Sequence, residues 1–152
     1  MICNMGMQTL NHFTDGDNAR KILTENGCTC VLCKDSAVYT TTLRGVKPLV
    51  QWLESGMDVR DFSAADKVVG KATAFLYCLL GVREVYAQVM SEGAQEVLKG
   101  HGICAWYDTL VKHIVNRKGD GICPFEAAVW EITDPEEART AILAKMKVMG
   151  IQ

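Results

Sequence analysis

The chain has 152 residues, of which 49% are hydrophobic and 22% charged, with 16 basic and 18 acidic side chains. That is one domain's worth of sequence, with enough apolar residues to close a core without a disulfide or metal staple. The formal net charge of −2 leaves no basic footprint for nucleic acid, and no apolar run approaches the ~18 residues expected of a membrane span.

Residues 1–21 lack the basic-then-apolar order of a secretory signal, so the chain reads as cytoplasmic. Its cysteines, at 3, 28, 30, 33, 78, 104 and 123, are odd in number and scattered, which fits free thiols for the most part rather than a disulfide framework. Neither an internal repeat nor a Pro/Ser-rich linker divides the sequence. One domain over 1–152 is expected, with its core at about 15–147 and residues 1–12 as a mobile N-terminal segment.

In chain order, Asp17 to Asn26 has the polar start and Gly27 stop of a helix. Cys28 to Cys33 and Ala37 to Thr42 flank the turn Lys34-Asp35-Ser36 and predict a hairpin. A short helix follows from Val46 to Glu54. Ser63 then looks like an N-cap with Asp66 three residues on, and Val68, Ala72, Phe75, Leu76 and Leu79 recur at helical spacing. A long helix from Ser63 to the stop at Gly81 is therefore expected, apolar nearly all round in its second half.

Val82 to Met90 alternates like a strand, Ser91 to Lys99 reads as a helix ended by Gly100 and Gly102, and Ile103 to Tyr107 as a further strand. Two last helices are announced by Cys123-Pro124-Phe125-Glu126 and Asp134-Pro135-Glu136-Glu137, each with Pro at the first helical position and Glu at the third. The helix–strand alternation implies parallel core strands with crossovers, joined to the hairpin in one mixed sheet. The expected fold class is α/β, a three-layer α-β-α arrangement.

Ligands of open α/β sheets collect beyond the carboxyl ends of the strands, where helix N-termini point their free amides. The segments expected there are Ser63 to Lys71, Ser91 with Glu92, the chain from Asp108 onward, and the loop from Asn116 to Cys123. On a helix starting at Ser63, Lys67 and Lys71 lie one turn apart where the macrodipole disfavours cations. They are candidates for gripping a phosphate or carboxylate, with Gly70 permitting close approach. Against this stands a plain surface pair, snorkelling and neutralised by Asp66 or Glu92.

Cys123 at an N-cap is placed for a lowered thiol pKa and is a candidate nucleophile with Glu126 as partner. The competing reading is a cap, with Glu126 bonding back to the Cys123 amide. Cys28-x-Cys30-x-x-Cys33 has metal-like spacing. Strand alternation, however, puts Cys28 and Cys30 on one face and Cys33 on the other, so buried thiols are expected and no metal or cofactor.

Three stretches, Ala65-Asp66-Lys67-Val68-Val69-Gly70-Lys71-Ala72, Val82 to Glu92 and Cys123-Pro124-x-Glu126, resemble small prokaryotic proteins of unknown function with a cytidine-deaminase-like fold. The resemblance runs from about Cys30 to Ala144. It implies a mixed sheet with a site between the N-termini of two adjacent core helices. Zinc deaminases carry His-x-Glu or Cys-x-Glu on the first of these helices and Cys-x-x-Cys on the second. Here Asp66-Lys67 and Ser91-Glu92 stand at those places, so zinc-dependent deamination is not expected.

The leading functional expectation is a metal-free relative that binds a small anionic or nucleotide-like ligand. Lys67 and Lys71 would hold the charge, with Asp66, Ser91, Glu92, Asn116 and Arg117 as polar contacts. One alternative is a metal-independent enzyme using Cys123 or Lys67. The other is a non-catalytic homodimeric interaction module.

Overall fold

The structure is a computed structural model and describes residues 14–151. The N-terminal segment 1–12, with Cys3 in it, lies outside the described residues. Helix α1 (Asp15–Glu25) starts with a full capping box between Thr14 and Asp17. It is followed by the hairpin β1 (Cys30–Lys34) and β2 (Ala37–Thr41) and by α2 (Lys47–Ser55), which stops at Gly56 with φ 71°. The rest alternates: β3 (Ser63–Val69), α3 (Lys71–Leu80), β4 (Glu84–Ser91), α4 (Glu92–Gly100) and β5 (Cys104–Val111), then α5 (Pro124–Ala128) and α6 (Pro135–Val148).

The five strands form one mixed sheet in the order β2-β1-β3-β4-β5. Strand β1 runs antiparallel to both its neighbours, whereas β3, β4 and β5 are parallel, as the alternation predicts.

Helices cover both faces. On one side Ala19 and Leu23 of α1 pack on Val31, Cys33, Ala65 and Tyr86. On the other, α2, α3, α4 and α6 close a larger core over Cys30, Leu32, Ala64, Val85 and Ala87. The split follows the period of two along each strand. Among the described residues no helix is long and apolar enough to cross a membrane.

The main departure from expectation is residues 63–69, which form the central strand and not the first turns of a helix. Strand β3 bonds to β1 on one side and β4 on the other and is covered on both faces, so its small residues Ala64 and Ala65 fill space where alternation would mark a half-exposed strand. Ser63 is therefore no N-cap; its hydroxyl donates to Glu84 Oε2 at 2.6 Å. Helix α3 begins only at Lys71, with Gly70 as N-cap, so Lys67 and Lys71 do not share a helix face.

The cysteine spacing also resolves differently from the expected pairing. Cys28 precedes β1 and packs with Cys33 on the α1 side, while Cys30 faces α3. Cys28, Cys30, Cys33, Cys78 and Cys123 are free thiols. Strand β5 runs on past Tyr107 to Val111, which makes Asp108 a mid-strand residue rather than the exit of the strand.

Candidate functional site

The parallel strands end towards the heads of α3 and α4, and a cleft of about 320 Å³ opens there. This is at the small end of the range for metabolite pockets. One wall is the segment Leu43–Val46 with Pro48; the opposite wall is Ile114, Cys123, Phe125 and Glu126. Asp66, Lys67 and Val68 of β3 and Gly70, Ala72 and Thr73 at the start of α3 lie between them. The lining is mostly apolar with a few converging polar groups.

Asp66 is the buried carboxyl of this cleft, 8% exposed. It is the cross-strand partner of Cys30, and Tyr77, two turns into α3, reaches down to both. The Tyr77 hydroxyl donates to Asp66 Oδ2 at 2.7 Å, and Cys30 Sγ lies 3.0 Å from the same hydroxyl. Burial pushes the Asp66 carboxyl up to about 6, against the pull of Tyr77 and of the Val68 and Lys67 amides towards the charged form. Burial likewise pushes both the Cys30 thiol and the Tyr77 phenol well up, with the Asp66 charge adding to each. Ordinary carboxyls are ionised far below neutrality; this one titrates close to it, in a cleft.

Glu126 is almost completely buried and ties three segments together. Its Oε1 accepts the backbone N–H of Lys71, the first amide of α3, and the Ser91 hydroxyl at 3.4 Å; its Oε2 accepts the Ile114 N–H at 2.8 Å. The position of Gly70 follows from this: a methyl group there would lie 3.0 Å from both Glu126 Oε1 and Ile114 Cγ1. Glu126 does not bond back to Cys123, whose helix has no side-chain cap, so the expected capping box is replaced by a tertiary contact.

Of the residues expected to form a site, Asp66, Lys67, Cys123 and Glu126 line the cleft. Lys71 does not: its Nζ donates to the Trp130 carbonyl at 2.8 Å and lies 5.8 Å from the centre of the Phe75 ring. Ser91 is buried as the N-cap of α4, accepting the Ala94 N–H at 3.1 Å, and reaches the site only through Glu126. Glu92 is exposed on α4 outside the cleft. Asn116 and Arg117 sit in a turn closed by the Val115–Ile122 bridge, where the Asn116 amide is bonded to Asp120. They too are outside the cleft.

Four polar residues that line or support the cleft were not named from the sequence: Thr29, Arg44, Thr73 and Tyr77. Tyr77 carried a usable signal, because a phenol in an otherwise apolar buried helix needs a partner for its hydroxyl. Arg44 carried none, lying in a loop. Among the described residues neither the Arg44 nor the Lys67 side chain has a hydrogen-bond or ion-pair partner, and both are exposed at the cleft. The cations lining the cleft are thus Arg44 and Lys67, from different segments, and Lys71 is not among them.

Zinc is the cofactor that a deaminase-like fold brings to mind, and these residues do not suit it. The heads of α3 and α4 carry Gly70-Lys71 and Ser91-Glu92. Among the described residues no three His, Cys, Asp or Glu side chains are grouped to hold a metal ion.

Residues 18–146 match the family described as TM1506: Domain of unknown function (DUF1893). The chain is similar in structure to a DUF1893 family protein (TM1506) from Thermotoga maritima, known from a crystal structure at 2.70 Å resolution. The two are 25% identical and superpose with a TM-score of 0.79, covering 94% of this chain and 99% of the other. No curated protein matches the chain.

Proposed function

Since the chain belongs to the DUF1893 family, we propose that it is a binding protein for a small anionic, nucleotide-like metabolite held in the cleft between α3, α5 and the Leu43–Val46 loop. One observation carries this reading: a mostly apolar cleft has the buried Asp66 carboxyl inside it and two unpartnered cations, Arg44 and Lys67, beside it. Apolar walls suit a flat or aliphatic body, and a cation pair without a protein partner suits a phosphate or carboxylate.

The fold reads as cytidine-deaminase-like. The strand order and the two helices that start beside one another after β3 and β4 support that reading. Zinc-dependent deamination has no support, because the ligand side chains are missing at both helix heads.

The test is a thermal-shift and calorimetric comparison of nucleoside 5′-monophosphates and sugar phosphates with the corresponding neutral nucleosides and sugars, repeated on the Arg44→Ala/Lys67→Ala double variant. Stabilisation by the phosphorylated members, lost in the double variant, is the expected result. Absence of stabilisation by every compound overturns the proposal. A metal-independent enzyme is the second reading, favoured by the Asp66 carboxyl that burial pushes up to about 6 and by the Cys123 thiol on the cleft wall.

A further inference from the structure

The hydrogen bonds beneath the cleft run in one direction. Asp66 as a carboxylate has no proton to give, so the 2.7 Å contact with Tyr77 commits the phenolic proton to Asp66 Oδ2. With its proton spent, the Tyr77 oxygen can only accept, and the Cys30 thiol, 3.0 Å away, is the donor to it. The chain therefore reads Cys30 S–H to Tyr77 O–H to Asp66, with Asp66 as its final acceptor. Cys30 and Tyr77 are 1% and 0% exposed, so both are held in place by the core.

Asp66 is the acceptor at the end of this chain and lines the cleft together with Cys30; besides Tyr77, the Val68 and Lys67 amides and the Cys30 side chain favour its charged form. A ligand that presented a carbonyl or ring-nitrogen acceptor there would set lone pair against lone pair and strand a buried carboxylate. A ligand that presented N–H groups would complete the chain.

We infer that the cleft is specific for molecules with an N–H donor group at their buried end and an anionic group at the other, with Asp66 as the specificity-determining residue and Tyr77 and Cys30 as positioning residues. The inference rests on the cleft being the ligand site proposed above, with Arg44 and Lys67 taking the anion. Its chemical content is an amino, amidine or ammonium group joined through an apolar body to a phosphate or carboxylate.

Matched pairs that differ only at the donor test it: adenosine against purine riboside 5′-monophosphate, and cytidine against pyrimidin-2-one riboside 5′-monophosphate, each second member lacking only the exocyclic amino group, measured by calorimetry on the wild-type protein at pH 7.5. The amino member of at least one pair is expected to bind about tenfold or more tightly than the partner that lacks the amino group. Asp66→Asn, checked for native circular dichroism, is expected to shrink that ratio towards one, because an amide presents either a donor or an acceptor.

Equal binding within both pairs, or preference for the members that lack the amino group, overturns the inference while leaving the cleft as an anion site. Failure of all four compounds, together with unchanged thermal stability in every sugar phosphate and nucleotide, removes the cleft reading itself and this inference with it.

Discussion

The Glu126 carboxylate accepts the backbone N–H of Lys71 at 2.5 Å, across 55 residues of sequence. Gly70, the N-cap of α3, has no side chain to offer, so the first amide of this buried helix is satisfied by a residue from α5. The same carboxylate satisfies the Ile114 amide. Glu126→Ala should therefore strand two part-buried donors and destabilise the fold by about 2–4 kcal/mol. Urea denaturation followed by circular dichroism measures this, and a loss within ~0.5 kcal/mol, the range of surface changes, contradicts the assignment.

Gly70 is the other half of the same contact. Its φ of −94° is open to any residue, so the effect of Gly70→Ala is steric: the new methyl meets Glu126 Oε1 and Ile114 Cγ1 at 3.0 Å. A loss of about 1–3 kcal/mol is expected, the usual range for overpacking. In the background of Glu126→Ala the Gly70 substitution should lose much of its effect, and strict additivity of the two changes would place the clash elsewhere.

How far the sequence discloses this arrangement depends on whether the signal is local. Thr14, Ser91 and Asp134 cap their helices with side chains that bond within three residues, and the hairpin turn at Asp35-Ser36 is equally local, so those elements could be read directly. Strand β3 could not. Ser63 and Asp66 stand at capping-box spacing and Ala, Asp and Lys are no strand formers. Only pairing with β1 and β4, under α1 and α3, makes them one. Glu126 was named from its helix start, but its bonds to the Lys71 and Ile114 amides, made far away in sequence, are reported by no periodicity. The end of the sheet was legible because strand–helix alternation dictates it, and Asp66, Lys67, Cys123 and Glu126 were named with it, whereas Thr29, Arg44 and Thr73 were not.

Lys67 and Lys71 separate in experiment if the cleft binds anions. Lys71 is engaged by the Trp130 carbonyl and its stem packs on Gly93, whereas Lys67 has no side-chain partner among the described residues. Lys67→Ala should leave stability within ~0.5 kcal/mol and abolish stabilisation by a phosphorylated ligand. Lys71→Ala should do the reverse, lowering stability modestly and leaving the ligand response in place. Thermal shift on both variants decides between them, and loss of the ligand response only in Lys71→Ala would return the site to the helix head.

Among the free thiols in residues 14–151, Cys28, Cys30 and Cys33 are buried, and burial pushes the half-buried Cys78 up to about 12. Cys123, half-buried on the cleft wall, is then the free thiol expected to react first with iodoacetamide in the native protein. Peptide mapping by mass spectrometry identifies the site. A nucleotide bound in the cleft should slow Cys123 modification and leave Cys78 unchanged, and equal protection of both would indicate global stabilisation instead of occupancy.

Asp66 should make the folded state less stable as pH rises. Its carboxyl is pushed up to about 6 by burial, from an ordinary value of 3.8. Between those values the folded chain holds a proton that the unfolded chain has released. The contribution of Asp66 is therefore most favourable below about pH 4, declines through about pH 6 and is flat above, a total change of about 3 kcal/mol. Asp66→Asn removes the titration and keeps an oxygen for the Tyr77 hydroxyl. It should therefore be more stable than the wild type at pH 7, with the difference vanishing towards pH 4. Chemical denaturation of both proteins across this range isolates Asp66 from the other acids, which titrate alike in the two. A difference that is constant with pH would mean that Asp66 is ionised in the fold as easily as in water, and the acceptor facing the cleft would then be screened by solvent and lose its power to select donors.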